Sequence, residues 1–127
     1  MRLSTLSLLA GAALALSRLV ERVQVTGESM RPALFPGDRL VVVRGLRPRV
    51  GDIVTAADPR RPDRVVVKRV AEVNAAGVVI LGDDPSTSTD SRHFGPVPRA
   101  RGRAVYRYAP AAAATRLNRS RWGVRST

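Results

Sequence analysis

Beyond residue 22 the apolar residues arrive in short β-branched runs, each cut by glycine, proline or aspartate, and this rhythm restricts the chain to a mainly β core. Residues 23–26 (Val-Gln-Val-Thr) alternate and stop at Gly27. Pro36-Gly37 turns the chain into a strand at 38–44, and residues 48–51 turn it into another at 52–57. The cluster Asp58-Pro59-Arg60-Arg61-Pro62-Asp63 reads as a hairpin loop ahead of the longest run, 64–73. Residues 74–77 return the chain into 78–81, a polar loop covers 82–95, and a last strand falls near 104–108. We therefore expect an antiparallel β domain over residues 23–110, long enough for one hydrophobic core.

Two segments flank it. Residues 3–17 are apolar and small, with Arg2 before and Arg18 after. Three structures fit this stretch: a short membrane anchor, a secretory signal peptide with Ala13-Leu14-Ala15 as a small-x-small cleavage site, and a helix packed on its own domain. Residues 1–22 are read as an anchor. Arg18 and Arg22 on one side face Arg2 and the amino terminus on the other, so charge bias does not set which side of a membrane the domain faces. Residues 111–127 carry Arg116, Arg119, Arg121, Arg125 and the single Trp122, and read as a disordered basic tail.

The net charge of +12 invites nucleic acid or an anionic membrane as a partner. The arginines are spread along the whole length and aromatic residues make up 4%, so the aromatic platform of an RNA-binding module is missing and no nucleic acid is expected. There is no cysteine, which excludes disulfides, thiolate metal sites and a cysteine nucleophile. The one histidine, His93, rules out a multi-histidine metal cluster. Asp38, Asp52, Asp83, Asp84 and Asp90 sit near glycines and prolines, where they form turns. No metal and no cofactor are expected.

Of the 22 lysine and arginine residues, Lys68 is the single lysine. Arginine stays charged in proteins, whereas a buried lysine can lose its proton and act as a base. Lys68 lies in the most apolar run, on the same strand face as Val66 and Val70. If that face is the inner one, desolvation lowers its pKa from about 10.4 toward neutrality. Such a lysine can take a proton from a serine hydroxyl without histidine or aspartate. Ser29, in the turn Gly27-Glu28-Ser29-Met30-Arg31-Pro32, is the best-placed serine.

Three segments, taken together, resemble a known family. Residues 27–34 followed by Pro36-Gly37-Asp38 resemble the nucleophile box of the type I signal peptidases, the S26 family of serine–lysine endopeptidases. Val66-Val67-Lys68-Arg69-Val70 resembles that family's lysine box. Residues 82–97, with Ser88-Thr89-Asp90-Ser91-Arg92, resemble its C-terminal box. The boxes stand in the family's order and span about residues 23–108.

The resemblance implies a signal-peptidase or LexA-like β-fold in compact form and a role for each matching position. Ser29 would be the acylating nucleophile and Lys68 the general base. The Ser29 backbone N–H would serve the oxyanion hole, and Ser88 would orient Lys68. Asp90 and Arg92 would brace the loop that carries Ser88, and Gly82 and Asp83 would shape its start. The strand before the nucleophile would pair with an extended substrate, with Val23, Val25, Met30, Leu34 and Val67 forming shallow pockets for small residues.

The substrate would be a preprotein or pro-protein, and the location the cell membrane, by a single span or by surface association, with the cytoplasm as alternative. A dedicated protease trimming one partner, as in the relatives that mature nickel-type superoxide dismutase, is the second reading. An inactive basic β-module that binds membrane or nucleic acid is the third. Two departures stand out. Gly27 occupies the position where some relatives carry a second serine, and Ala71-Glu72-Val73 replaces the glycine–proline turn after the lysine box.

Overall fold

The computed structural model describes residues 2–108. Its elements run α1 (Arg2–Leu19), β1 (Val20–Gln24), β2 (Arg39–Arg44), β3 (Ile53–Asp58), β4 (Arg61–Asn74), β5 (Gly77–Leu81), α2 (Ser91–Phe94) and β6 (Gly102–Tyr108). The strands make one antiparallel sheet in the order β1-β2-β6-β3-β4-β5. The mainly β class expected from the runs is the observed one.

The sheet buries apolar residues in two clusters. Val54, Ala56, Val70, Val78, Ile80 and Val97 form one, around β3, β4 and β5. Val25, Met30, Leu34, Leu40 and Val42 form the other, under β1, β2 and the turn after β1. Period-2 alternation explains the second: Leu40 and Val42 of β2 point inward while Val41 and Val43 are only half-buried. β3 departs from alternation, with Val54, Thr55 and Ala56 all buried, because it lies between β6 and β4.

β4 is divided between two partners. Its first half, from Arg61 to Arg69, pairs with β3, and its second half, from Arg69 to Asn74, pairs with β5. Between Arg61 and Lys68 its other edge is therefore outside the ladder.

Several boundaries differ from those read in the sequence. β1 begins at Val20, three residues before the alternating run, because β2 pairs with it from Gln24↔Arg39 out to Val20↔Val43. Beyond Gln24, Val25 still holds the neighbouring chain: its N–H donates to Asp38 O at 2.7 Å, and its carbonyl accepts from Gly37 N at 2.8 Å. The cluster at 58–63 is a tight hairpin in which Asp58 pairs with Arg61, so β4 starts three residues earlier than expected. The polar loop contains the one-turn helix α2, capped by the Asp90 side chain.

α1 makes little use of the domain. Leu6, Leu8, Leu9, Leu14 and Leu16 are all exposed, Leu8 at 74%. Among the described residues, no helix is long and apolar enough to cross a membrane. The basic tail, 111–127, lies outside the described residues.

Candidate active site

Three chain segments meet beside the first half of β4. The turn after β1 brings Ser29, β4 brings Lys68, and the loop between β5 and α2 brings Ser88. Gly27 opens the turn with φ +76°, a conformation that side chains resist, and Ser29 follows two residues later. The Ser29 carbonyl accepts from Asp84 N at 2.8 Å, which ties this turn to the Ser88 loop.

Lys68 faces inward with Val66 and Val70, as strand parity requires, and is 5% exposed. Its Nζ lies 2.8 Å from Ser29 Oγ and 3.1 Å from Ser88 Oγ. Burial pushes its pKa below the ordinary lysine value. The Arg64 and Arg92 charges act in the same direction, and the Asp90 carboxylate opposes them. This ammonium is thus easier to neutralise than that of a solvent-exposed lysine.

Ser88 is held from behind. Its Oγ donates to Asp90 Oδ2 at 2.6 Å. With its one proton committed there, the oxygen can only accept from Lys68. Asp90 is completely buried, and every oxygen is used. Oδ2 also accepts from Gly82 N at 2.9 Å and Arg92 Nη2 at 2.6 Å, and Oδ1 accepts from Arg92 N at 3.1 Å and Nε at 3.0 Å. Burial alone would raise the Asp90 pKa. The hydrogen bonds from Arg92, Ser88 and Gly82 overcome it and hold the carboxyl well below the usual carboxylate range.

Gly82 is needed for space. A Cβ there would sit 2.5 Å from Ser88 Cβ and 2.8 Å from the Ser29 carbonyl, and closer still to Ser88 Oγ. Asp83 binds Arg69 through two bonds of 2.8 Å, and Arg69 Nη1 donates to Gly51 O.

Of the residues read as pocket walls, Val23, Val25, Met30 and Val67 line a cleft of about 70 Å3 beside Ser29 and Lys68. Leu34 does not reach it. Leu34 lies in the buried cluster with Met30, because the turn after β1 folds it inward. His93 is exposed, and its Nδ1 accepts from Asp90 N at 3.2 Å, so it caps α2 and contacts neither Ser29 nor Lys68.

The sequence reading missed a second cleft, of about 130 Å3, that adjoins the first. Asp58, Arg60, Arg64, Thr87 and Thr89 line it together with Ser29 and Lys68. Asp58 is buried and accepts from Arg60 N, Nε and Nη2, which lowers its pKa despite burial. The Arg60 guanidinium also lies over the Phe94 ring, 5.6 Å from its centroid. Strand parity from Lys68 back through Val66 would have placed Arg64 here; Arg60 depends on the tight hairpin, which propensity did not reveal. Among the described residues no group of three or more His, Cys, Asp or Glu could hold a metal ion.

A helix, a six-stranded antiparallel sheet and this cluster are joined by one further finding. Residues 1–75 match the family model described as signal peptidase, peptidase S26, and the chain belongs to that family. It is similar to the mitochondrial ATP-independent inner membrane protease subunit 1a of Arabidopsis thaliana, 32% identical over 121 residues that cover 72% of each chain. Subunit 1b of the same organism is 29% identical over 113 residues, covering 66% of this chain and 67% of its own. The span matched by the family model includes Ser29 and Lys68, and the Ser88 loop follows it.

Proposed function

We propose that the protein is a membrane-associated serine endopeptidase that cleaves an N-terminal signal or pro-segment after small residues, with Ser29 as nucleophile and Lys68 as general base. The observation that carries this reading is the 2.8 Å approach of a buried, pKa-lowered lysine to Ser29 Oγ. Neutral Lys68 has one lone pair and two N–H groups. Ser88, whose proton is held by Asp90, accepts one N–H and turns the lone pair toward Ser29.

Ser29 Oγ attacks the scissile carbonyl as its proton passes to Lys68 Nζ. The Ser29 N–H, which has no acceptor among the described residues, is available to the oxyanion. Collapse of the tetrahedral intermediate returns the Lys68 proton to the leaving amine and leaves an acyl-enzyme. Water, deprotonated by Lys68, then releases the acid. The substrate strand is placed between the outer edge of β1 and the unladdered edge of β4, adding backbone hydrogen bonds to both. The shallow cleft at Val23, Val25, Met30 and Val67 favours small side chains. The exposed leucines of α1 support membrane association, in keeping with the inner membrane named for the relatives.

The test is cleavage of an Ala-x-Ala peptide and of candidate pro-proteins in detergent. Ser29→Ala, Lys68→Met and Lys68→Arg should each lose on the order of 10⁴-fold or more in kcat/KM. Wild-type rates in all three variants would overturn the dyad. Cleavage of one pro-protein with none of the peptide would favour the dedicated-maturation reading.

A further inference from the structure

Where α1 runs into β1, the surface forms a groove of about 820 Å3 that Ser29 and Lys68 do not line. Every charged residue that lines it is an arginine: Arg18 at the end of α1, Arg44 at the end of β2, and Arg99 and Arg101 ahead of β6. Leu19 and Val97 contribute apolar wall. Among the described residues, Glu21 alone pairs with these arginines. It accepts from Arg101 at 2.8 Å and lies 3.5 Å from Arg44. Arg18 and Arg99 have no acidic partner among the described residues. Four arginines against one glutamate leave three uncompensated positive charges at the foot of a helix with leucines exposed on every side.

We propose that this groove binds the phosphate headgroups of anionic phospholipids at the point where α1 enters the apolar layer, and so sets the height and tilt of the catalytic domain over the membrane. The inference rests on the membrane association proposed above. The leucines of α1 gain by leaving water for acyl chains. Arginines at the same end then fall at the headgroup level, where their stems lie against apolar surface and their guanidinium groups bind phosphate oxygens bidentately. The apolar wall beside the arginines suits a lipid, whose phosphate comes with a glycerol and acyl chains, better than a free anion.

The experiment is vesicle flotation of the full chain at fixed ionic strength, with phosphatidylcholine alone and with phosphatidylcholine mixed with phosphatidylglycerol. Because a chain of net charge +12 attracts anionic surfaces generally, the groove variant Arg18→Gln/Arg99→Gln is compared with a charge-matched variant, Arg47→Gln/Arg49→Gln, on an exposed turn. The groove variant should bind mixed vesicles about 30-fold more weakly than wild type, from a roughly fivefold effect per arginine at a membrane surface. The matched variant should lose about threefold or less, and binding to neutral vesicles should be the same for all three. Equal losses in the two variants, or no wild-type gain from phosphatidylglycerol, would overturn the groove. Release of wild type from mixed vesicles by inorganic phosphate, at constant ionic strength, would make the ligand a free anion and also overturn it. Failure of wild type to bind neutral vesicles would instead break the membrane association itself.

Discussion

The loop that carries Ser88 is fastened at both ends by an arginine–aspartate pair, and the two pairs do different work. At its start Asp83 meets Arg69 in a two-point contact that is partly open to solvent. At its end Asp90 meets Arg92, also through two points, but the Asp90 carboxylate is sealed from water and takes Ser88 and Gly82 as well. The difference lies in what else the carboxylate holds. A partly exposed ion pair is worth little by itself. A buried carboxylate that fixes a hydroxyl proton determines what that hydroxyl can offer its other neighbour, here Lys68.

The largest way to break this contrast is Asp90→Ala. It leaves the Gly82 N–H and the Ser88 hydroxyl without their buried acceptor and frees Ser88 to donate toward Lys68. We expect about 3 kcal/mol of lost stability in urea unfolding and a fall in kcat/KM of at least 10²-fold. Above the ordinary carboxylate range the stability that Asp90 supplies is complete. It drains as the pH drops below about 4, toward the lower folded-state value.

Gly82→Ala comes next. The added methyl meets Ser88 and the Ser29 carbonyl, so the hydroxyl that accepts from Lys68 is displaced while the Asp90 network keeps its atoms. A drop of about 10²-fold in kcat with little change in KM is the expected outcome.

Asp90→Asn sharpens the electrostatic side. In wild type kcat/KM should fall on the acid side as Lys68 takes up a proton, because only the neutral amine can act as base. The Asp90 charge raises the Lys68 pKa, so its removal should move that acid limb to lower pH. A limb that stays fixed would mean that some other group sets it.

The smallest effect belongs to Asp83→Asn. Less than about 1 kcal/mol should be lost, with the acid limb unmoved, since Asp83 touches neither Ser88 nor Lys68.

What the sequence disclosed follows from the same physics. Lys68 stood out because it is chemically unlike the other cations, and its strand was legible from a valine-rich run whose parity buried one face. Ser29 and the Ser88–Asp90–Arg92 element were legible through spacing against a known pattern. Other features had no local signal. The start of β1 at Val20 is set by pairing with β2, and in sequence it only continues the apolar stretch of α1. The one-turn α2 is shorter than any helical periodicity. Leu34 carried the same apolar signal as Met30, and only the path of the turn decides that it packs in the core and leaves the cleft to Met30.

The bond from Asp84 N to the Ser29 carbonyl has a topological consequence. From Ser29 Oγ the path runs through Lys68, Ser88 and Asp90 to the Gly82 N–H, then along the backbone to Asp84 and back to Ser29. The circuit closes on the residue where it began. A closed circuit resists shear that an open chain of contacts would follow, because any one member that shifts must drag its neighbours on both sides. Ser29 and Lys68 are thus held in register by geometry that exists before any substrate arrives, and the proposed nucleophile and base would have little left to rearrange.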